Sequence, residues 1–225
     1  MRIKGAIFDL DGTLLDSMFI WDRIGEEYLI SRGITPKESL KERFKSMSLV
    51  QAAEHYQQEY GICDSIDEIC DGVNRMIEHL YKDQVLPKEG AADCLRLLKE
   101  QGVKMCVATA TDRYLAEAAL RRTGLLEFFS EIFTCTEVGY GKDNPAIYHT
   151  ARTHLGTHID ETLVFEDALY AITTAKTAGF RVVGVCDPSE QKHAESIRKL
   201  CDIYIQSYHE MRGYLDKKST DHRRL

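Results

Sequence analysis

Two carboxylates one residue apart, Asp9 and Asp11, followed at once by Gly12 and Thr13, are the most chemically loaded residues near the start of this chain. They leave a short apolar run, Ile3 to Phe8 interrupted by Lys4 and Gly5, that reads as a buried strand, so the acids are expected at its C-terminal end. In an open parallel sheet, that edge is where ligands sit. Carboxylates alternating around Leu10 can divide labour: one attacks or holds a metal, while the other exchanges protons. Gly12 lets the backbone turn sharply after them. Taken alone, Asp-x-Asp is equally a solvated strand-end turn. A calcium loop also opens on Asp-x-Asp, but it needs a bidentate Glu at its twelfth position, and counting from Asp9 that place holds Ile20.

Other reactive groups stand at comparable places. The apolar run Val103 to Ala108 ends in Thr109-Ala110-Thr111-Asp112, Lys142 follows the short run Glu131 to Thr136, and Thr162 to Phe165 runs into Glu166-Asp167. Each is ordinary by itself: a solvated lysine, a strand-end hydroxyl, a helix-start acid pair. Together they are the inventory of phosphoryl transfer. Oxygen-rich acids suit Mg²⁺, the amides that begin a helix after Thr109 offer a seat for phosphate, and Lys142 supplies a point charge for both phosphoryl oxygens and a nucleophilic carboxylate. With these in place, a carboxylate such as Asp9 can approach phosphorus despite its like charge.

That chemistry requires the strand ends to meet, and the pattern of elements supplies a reason. After Ser17 the apolar spacing turns helical: Ile20, Trp21, Ile24 and Tyr28, then stripes through Leu40, Val50 and Ile66 to Leu80, with no strand signal before Pro87. Some 65 residues without a strand far exceed an ordinary connection of about 2 to 6, so 17–83 is expected to be an inserted helical cap. From Pro87 onward, strands alternate with single helices, which implies a parallel sheet with right-handed crossovers. The expected architecture is α/β: a Rossmann-like parallel core from 1–16 and 84–215, the all-helical cap at 17–83, and a polar, mobile tail at 216–225.

The 225 residues, 44% hydrophobic and 29% charged with a formal net charge of −7, fit an ordinary globular protein of one large or two small domains. The acidic balance gives no footprint for nucleic acid or anionic membrane, so an anionic substrate needs a local positive site. No apolar run approaches the roughly 18 residues of a membrane helix. Seven scattered cysteines without a Cys-x-x-Cys pair fit reduced thiols in the cytoplasm.

The four motifs in this order resemble those of the haloacid dehalogenase-like superfamily, in its subgroup with a helical cap after the first strand. Asp9-Leu10-Asp11-Gly12-Thr13 is similar to the first motif, Thr109 to the second, Lys142 with Pro145 to the third, and Glu166-Asp167 to the fourth. The resemblance covers roughly Met1 to Tyr208. It implies that Asp9 is the nucleophile forming an aspartyl-phosphate, and that Asp11 protonates the leaving alcohol and then activates water. It also implies Mg²⁺ bound by Asp9, the Asp11 backbone carbonyl and Asp167, with Glu166 a ligand or an orienting group, and a phosphoryl group held by Thr109, the Ala110 amide and Lys142 beside the Gly12 turn. Dehalogenases of the family lack an acid at the place of Asp11, which argues against carbon–halogen cleavage.

Within the family, the rival to a small-metabolite phosphatase is a β-phosphoglucomutase-like phosphosugar mutase. Such mutases carry a cap histidine near the place of Trp21 and a cap arginine near that of Leu49, whereas here both places are apolar and Asp112 stands where a lysine would help with a second phosphate. Hydrolysis of a monophosphate is therefore favoured. Trp21 is weighed between core packing and facing the substrate, and His154 and His158, despite metal-like spacing, read as surface residues. A non-catalytic module that binds a phosphorylated ligand is a further alternative, against which the retention of both Asp9 and Asp11 argues. The expected partner is a small phosphorylated metabolite, with no nucleic acid, membrane or protein partner evident.

Overall fold

The computed structural model of the protein describes residues 3–38, 40–44 and 47–220. In chain order, β1 (Gly5–Phe8) and β2 (Leu15–Asp16) lead into four helices, α1 (Met18–Ser31), α2 (Leu40–Phe44), α3 (Leu49–Tyr60) and α4 (Ile66–Asp83). Next come β3 (Leu86–Pro87), α5 (Ala91–Glu100), β4 (Lys104–Thr109), α6 (Arg113–Arg122), β5 (Ile132–Thr134), α7 (Cys135–Val138) and α8 (Ala146–Leu155). The chain closes with β6 (Thr162–Glu166), α9 (Leu169–Thr177), β7 (Arg181–Val185), α10 (Ala194–Leu200), β8 (Ile203–Ile205) and α11 (Met211–Thr220).

Six strands form one parallel sheet in the order β5-β4-β1-β6-β7-β8. β1 is fully buried because both faces are covered, as parallel sheets require. Alternation divides its side chains: Ala6 and Phe8 pack with α5 and α6 residues such as Leu95 and Leu115, while Ile7 packs with Cys106, Val164 and Ile172 on the opposite face. Phe8 stacks on Phe165 of the neighbouring strand, with ring centroids 4.2 Å apart. The register, Phe8 opposite Val107 of β4 and Phe165 of β6, brings the C-terminal ends of the three central strands level with one another.

The helical cap lies between β2 and β3 and has its own apolar packing, in which Tyr28 meets Tyr56 and Phe44 meets Tyr56 edge-on. Ser48 and Ser65 open α3 and α4 through reciprocal capping boxes with Gln51 and Glu68. α4 ties the cap to the core: Asn74 Nδ2 donates to Asp112 at the start of α6, and Arg122 at its end donates to the Tyr81 and Val85 carbonyls.

Three local expectations are corrected. The connection to the cap contains a strand pair: Leu15 and Asp16 run antiparallel to Leu86 and Pro87, each too short for a period to show. The run Glu131 to Thr136 is a strand only over Ile132–Thr134, because Thr134 caps a helical turn by accepting from the Glu137 amide. The tail is helical as far as Thr220, and 221–225 lie outside the described residues.

Candidate active site

Asp9 is the first residue beyond β1, and its amide donates to the Phe165 carbonyl at 3.0 Å, so sheet pairing fixes it beside the end of β6. Glu166 is the last residue of β6, and Asp167 follows it. One oxygen from each of Asp9, Glu166 and Asp167 lies within 4.8 Å of the others. Lys142, from the loop between α7 and α8, reaches the same place, donating to Asp9 Oδ1 and to Glu166 Oε1, the latter at 2.7 Å. Tyr148, one turn into α8, donates to the same Glu166 oxygen at 2.8 Å. Thr13 Oγ1 donates to Asp167 Oδ1 at 2.9 Å, and the Thr13 carbonyl in turn accepts from Tyr208 Oη at 3.2 Å.

Gly12 is required by this crowding. Its φ is +80°, and a Cβ there would stand 2.4 Å from Asp167 Oδ2. No other residue allows the turn to pass so close to that carboxylate.

The electrostatics follow from burial. Asp9 is 6% exposed, Lys142 4%, Glu166 1% and Asp167 3%. Burial works against the charge of Lys142, but the carboxylates of Asp9 and Glu166 outweigh it and hold its pKa well above the usual lysine value. Burial pushes Asp9 up to about 7 against the pull of Lys142, with Glu166 and Asp11 pushing the same way. Burial, then the charges of Asp9 and Glu166, hold Asp167 well above its ordinary value. Three buried carboxylates facing one ammonium leave an excess of negative charge. Oxygen donors so placed, with this uncompensated charge, fit a small hard divalent cation.

Asp11 stands apart from that cluster. Its carboxylate accepts from three hydroxyls: Ser17 Oγ and Tyr81 Oη on Oδ1, and Thr111 Oγ1 on Oδ2 at 2.6 Å. Tyr81 comes from the end of α4, and it accepts from Trp21 Nε1 of α1 at 2.8 Å. Burial and the adjacent Asp11 push the Tyr81 phenol well above its usual value, so it remains a neutral hydroxyl.

A crevice of about 1090 Å³, counting its open mouth, joins these groups to the cap. Its floor holds Asp9, Asp11, Lys142, Glu166 and Asp167, with Ala110 and Thr111 from the turn after β4. Thus the structure gathers six of the residues expected from the sequence, including Ala110, onto one surface. Thr109 is fully buried just behind it, where its hydroxyl accepts from the Thr111 amide at 3.0 Å and shapes the turn. The Asp11 carboxylate is spent on hydroxyls, which leaves only its backbone carbonyl in the cation-binding reading. Trp21 both packs and faces the crevice. Asp112 does not line it: its carboxylate accepts from Asn74 and from Thr136. His154 and His158 are exposed on the far side of the core, around the end of α8. Ser17, Tyr81, Thr111 and Tyr148 are the participants that sequence reasoning missed. Of these, only Thr111, a second hydroxyl two residues after Thr109, left a visible signal.

Comparison with known proteins agrees with this geometry. A family model described as haloacid dehalogenase-like hydrolase matches residues 3–179. Validoxylamine A 7'-phosphate phosphatase of Streptomyces hygroscopicus subsp. limoneus is 30% identical over 214 residues, covering 93% of this chain and 96% of the relative. Hexitol phosphatase B of Escherichia coli K12 is 24% identical over 212 residues, covering 93% and 95%. Among solved structures, CbbY from Rhodobacter sphaeroides in complex with phosphate superposes with a TM-score of 0.78 at 22% identity, covering 93% of this chain and 96% of that one.

Proposed function

This chain belongs to the haloacid dehalogenase-like hydrolases, and on that footing we propose that it is a Mg²⁺-dependent phosphatase that hydrolyses a small phosphorylated metabolite through an aspartyl-phosphate. The observation that carries the reading is the division between the two acids of the first motif. Asp9 lies in the charged cluster with Lys142, Glu166 and Asp167, while Asp11 faces the same crevice held by the hydroxyls of Ser17, Tyr81 and Thr111. That division supports one carboxylate attacking and the other handling a proton. The division of core, cap at 17–83 and tail follows the same reading.

Asp9, Asp167 and the Asp11 carbonyl would hold Mg²⁺, with Glu166 orienting Lys142 through the oxygen it shares with Tyr148. When bound, the cation would supply charge neutralisation for the phosphoryl oxygens. The chain's own residues do the rest. Lys142 draws charge from Asp9 and from an incoming phosphoryl oxygen, and the turn from Thr109 to Thr111, with the Ala110 amide, seats that group. An Asp9 carboxylate oxygen bonds to phosphorus as the ester P–O bond breaks, and the leaving oxygen takes the proton carried by Asp11. Asp11, now ionised, accepts a proton from water. The water oxygen bonds to phosphorus, and the Asp9–phosphorus bond breaks, releasing phosphate and restoring both acids. Hydroxyls around Asp11 suit this two-way role because each can donate to the carboxylate or accept from the acid.

Hydrolysis is favoured over phosphosugar mutase action by the crevice itself. Among the described residues, the cap contributes no cation to its lining, so none of these grips a second phosphate. The seven unpaired thiols support a reducing, cytoplasmic setting. The test is phosphate release from a panel of monophosphates with and without Mg²⁺, for wild type and Asp9→Asn. The proposal expects metal-dependent turnover that the substitution abolishes, and undiminished turnover by Asp9→Asn would refute it. Glucose 6-phosphate formed from β-glucose 1-phosphate, given trace bisphosphate, would instead identify a mutase.

A further inference from the structure

The wall of the crevice opposite the reactive acids is built from cap side chains, among them Met18, Trp21, Ile24, Phe44, Leu49 and Tyr56. The polar tips of the two largest are turned away from the crevice and satisfied elsewhere. Trp21 Nε1 donates to Tyr81 Oη at 2.8 Å, and Tyr56 Oη donates to the Gly25 carbonyl at 2.7 Å. The remaining polar side chains that the described cap residues bring to the lining are Asp22 and Ser48. Ser48 Oγ already accepts from the Gln51 amide at 3.2 Å as the cap of α3, and Asp22 is itself engaged in an interaction within the protein.

A leaving group bearing many hydroxyls would lose water against this wall and find few partners for them. A flat or branched hydrocarbon would lose nothing and gain contact. Resting on the phosphatase reading above, we infer that the leaving alcohol of this enzyme's substrate is apolar, either aromatic or alicyclic, rather than a polyol or sugar. The wall touches the leaving group before and during reaction, so the discrimination appears in KM more than in kcat.

The experiment compares primary-alcohol monophosphates, so that each substrate loses a similar alkoxide: benzyl and cyclohexylmethyl phosphate against glucose 6-phosphate and sorbitol 6-phosphate, all with Mg²⁺. The inference expects kcat/KM at least about tenfold higher for the apolar pair. In Leu49→Asn and Phe44→Ser, whose folding is verified by thermal unfolding, that ratio falls by about tenfold. Benzylphosphonate inhibits 4-nitrophenyl phosphate hydrolysis by wild type more strongly than by either variant. Equal or better turnover of the sugar phosphates, with Asp9→Asn inactive on all four, overturns the inference and leaves the phosphatase reading standing. A preference for the apolar pair that neither cap substitution changes overturns the assignment to this wall. No turnover of any phosphate defeats the phosphatase reading, and the inference with it.

Discussion

The two sides of the crevice are built on opposite principles. On the core side nearly every group is charged or a hydroxyl, and each is tied to a partner: Lys142 to Asp9 and Glu166, Tyr148 to Glu166, Thr13 to Asp167, and Ser17, Tyr81 and Thr111 to Asp11. On the cap side the wall is mostly apolar, and its aromatic polar atoms point into the protein. Asp9, Glu166 and Asp167 are set by adjacent parallel strands whose register holds them beside one another. Wall residues sit on helices that meet the core through the β2–β3 pair and the contact of α4 with α6. On the proposed function, reaction type is a property of the sheet edge, and selectivity a property of the insertion. Trp21 and Tyr81 join the two, carrying a hydrogen-bond chain from the wall to Asp11.

If the two sides are this separable, substitutions in the core must lower turnover on every substrate alike, whereas those in the wall must change ratios between substrates. The largest effect is expected for Asp9→Asn: a loss of at least about 10⁴-fold in kcat on any phosphate, read by single-turnover phosphate release. Lys142→Met strands two buried carboxylates and should cost about 3–5 kcal/mol of stability by denaturant unfolding of the metal-free protein, as well as activity. Tyr81→Phe removes one donor to Asp11 and the acceptor of Trp21. It should lower kcat by about tenfold to a hundredfold with little change in KM, and an unchanged kcat would show that the chain from wall to acid has no role in the reaction.

A smaller effect lies in stability against pH. The ordinary value for Asp9 is 3.8 and burial pushes it to about 7, so between these pH values the folded state holds a proton that the unfolded chain has released. Stability of chelator-treated protein should accordingly fall as pH rises from about 4 to about 7, and Asp167, also held well above its ordinary value, adds a fall of the same sign. Asp9→Asn should make this slope shallower and raise the melting temperature at pH 8, where the wild-type carboxyl is ionised at a cost. Added Mg²⁺ should raise the melting temperature of wild type in a concentration-dependent way, and that of Asp9→Asn less.

Much of the sheet edge was legible in the sequence because its signals are local. An apolar run ending in Asp9-x-Asp11-Gly12 identifies a strand and its turn together, and the apolar runs Val103 to Ala108 and Thr162 to Phe165 overlap β4 and β6. Helix spacing likewise pointed to an all-helical insertion, and α1 to α4 lie between β2 and β3. What escaped notice were contacts across the fold. Tyr81 lies 70 residues from Asp11, and in a helical stripe it reads as one more apolar position. Tyr148 hides in the same way on α8, and its partner Glu166 is a strand away. The β2–β3 pair is two residues long on each side, too short for alternation to register. The wall's character was partly visible, since Trp21 and Leu49 are apolar in the sequence, but which polar tips turn inward depends on three-dimensional packing.

The central claim is that Asp9 accepts the phosphoryl group and Asp11 is needed to release it. It is tested most directly by mixing Asp11→Asn with 4-nitrophenyl phosphate and Mg²⁺, a substrate whose leaving group needs no protonation. We predict a rapid release of nitrophenolate equal to the enzyme present, and a chain heavier by one phosphoryl group, with tandem mass spectrometry after borohydride reduction placing the modification at Asp9. Steady turnover without any adduct, or an adduct on another residue, would contradict the account.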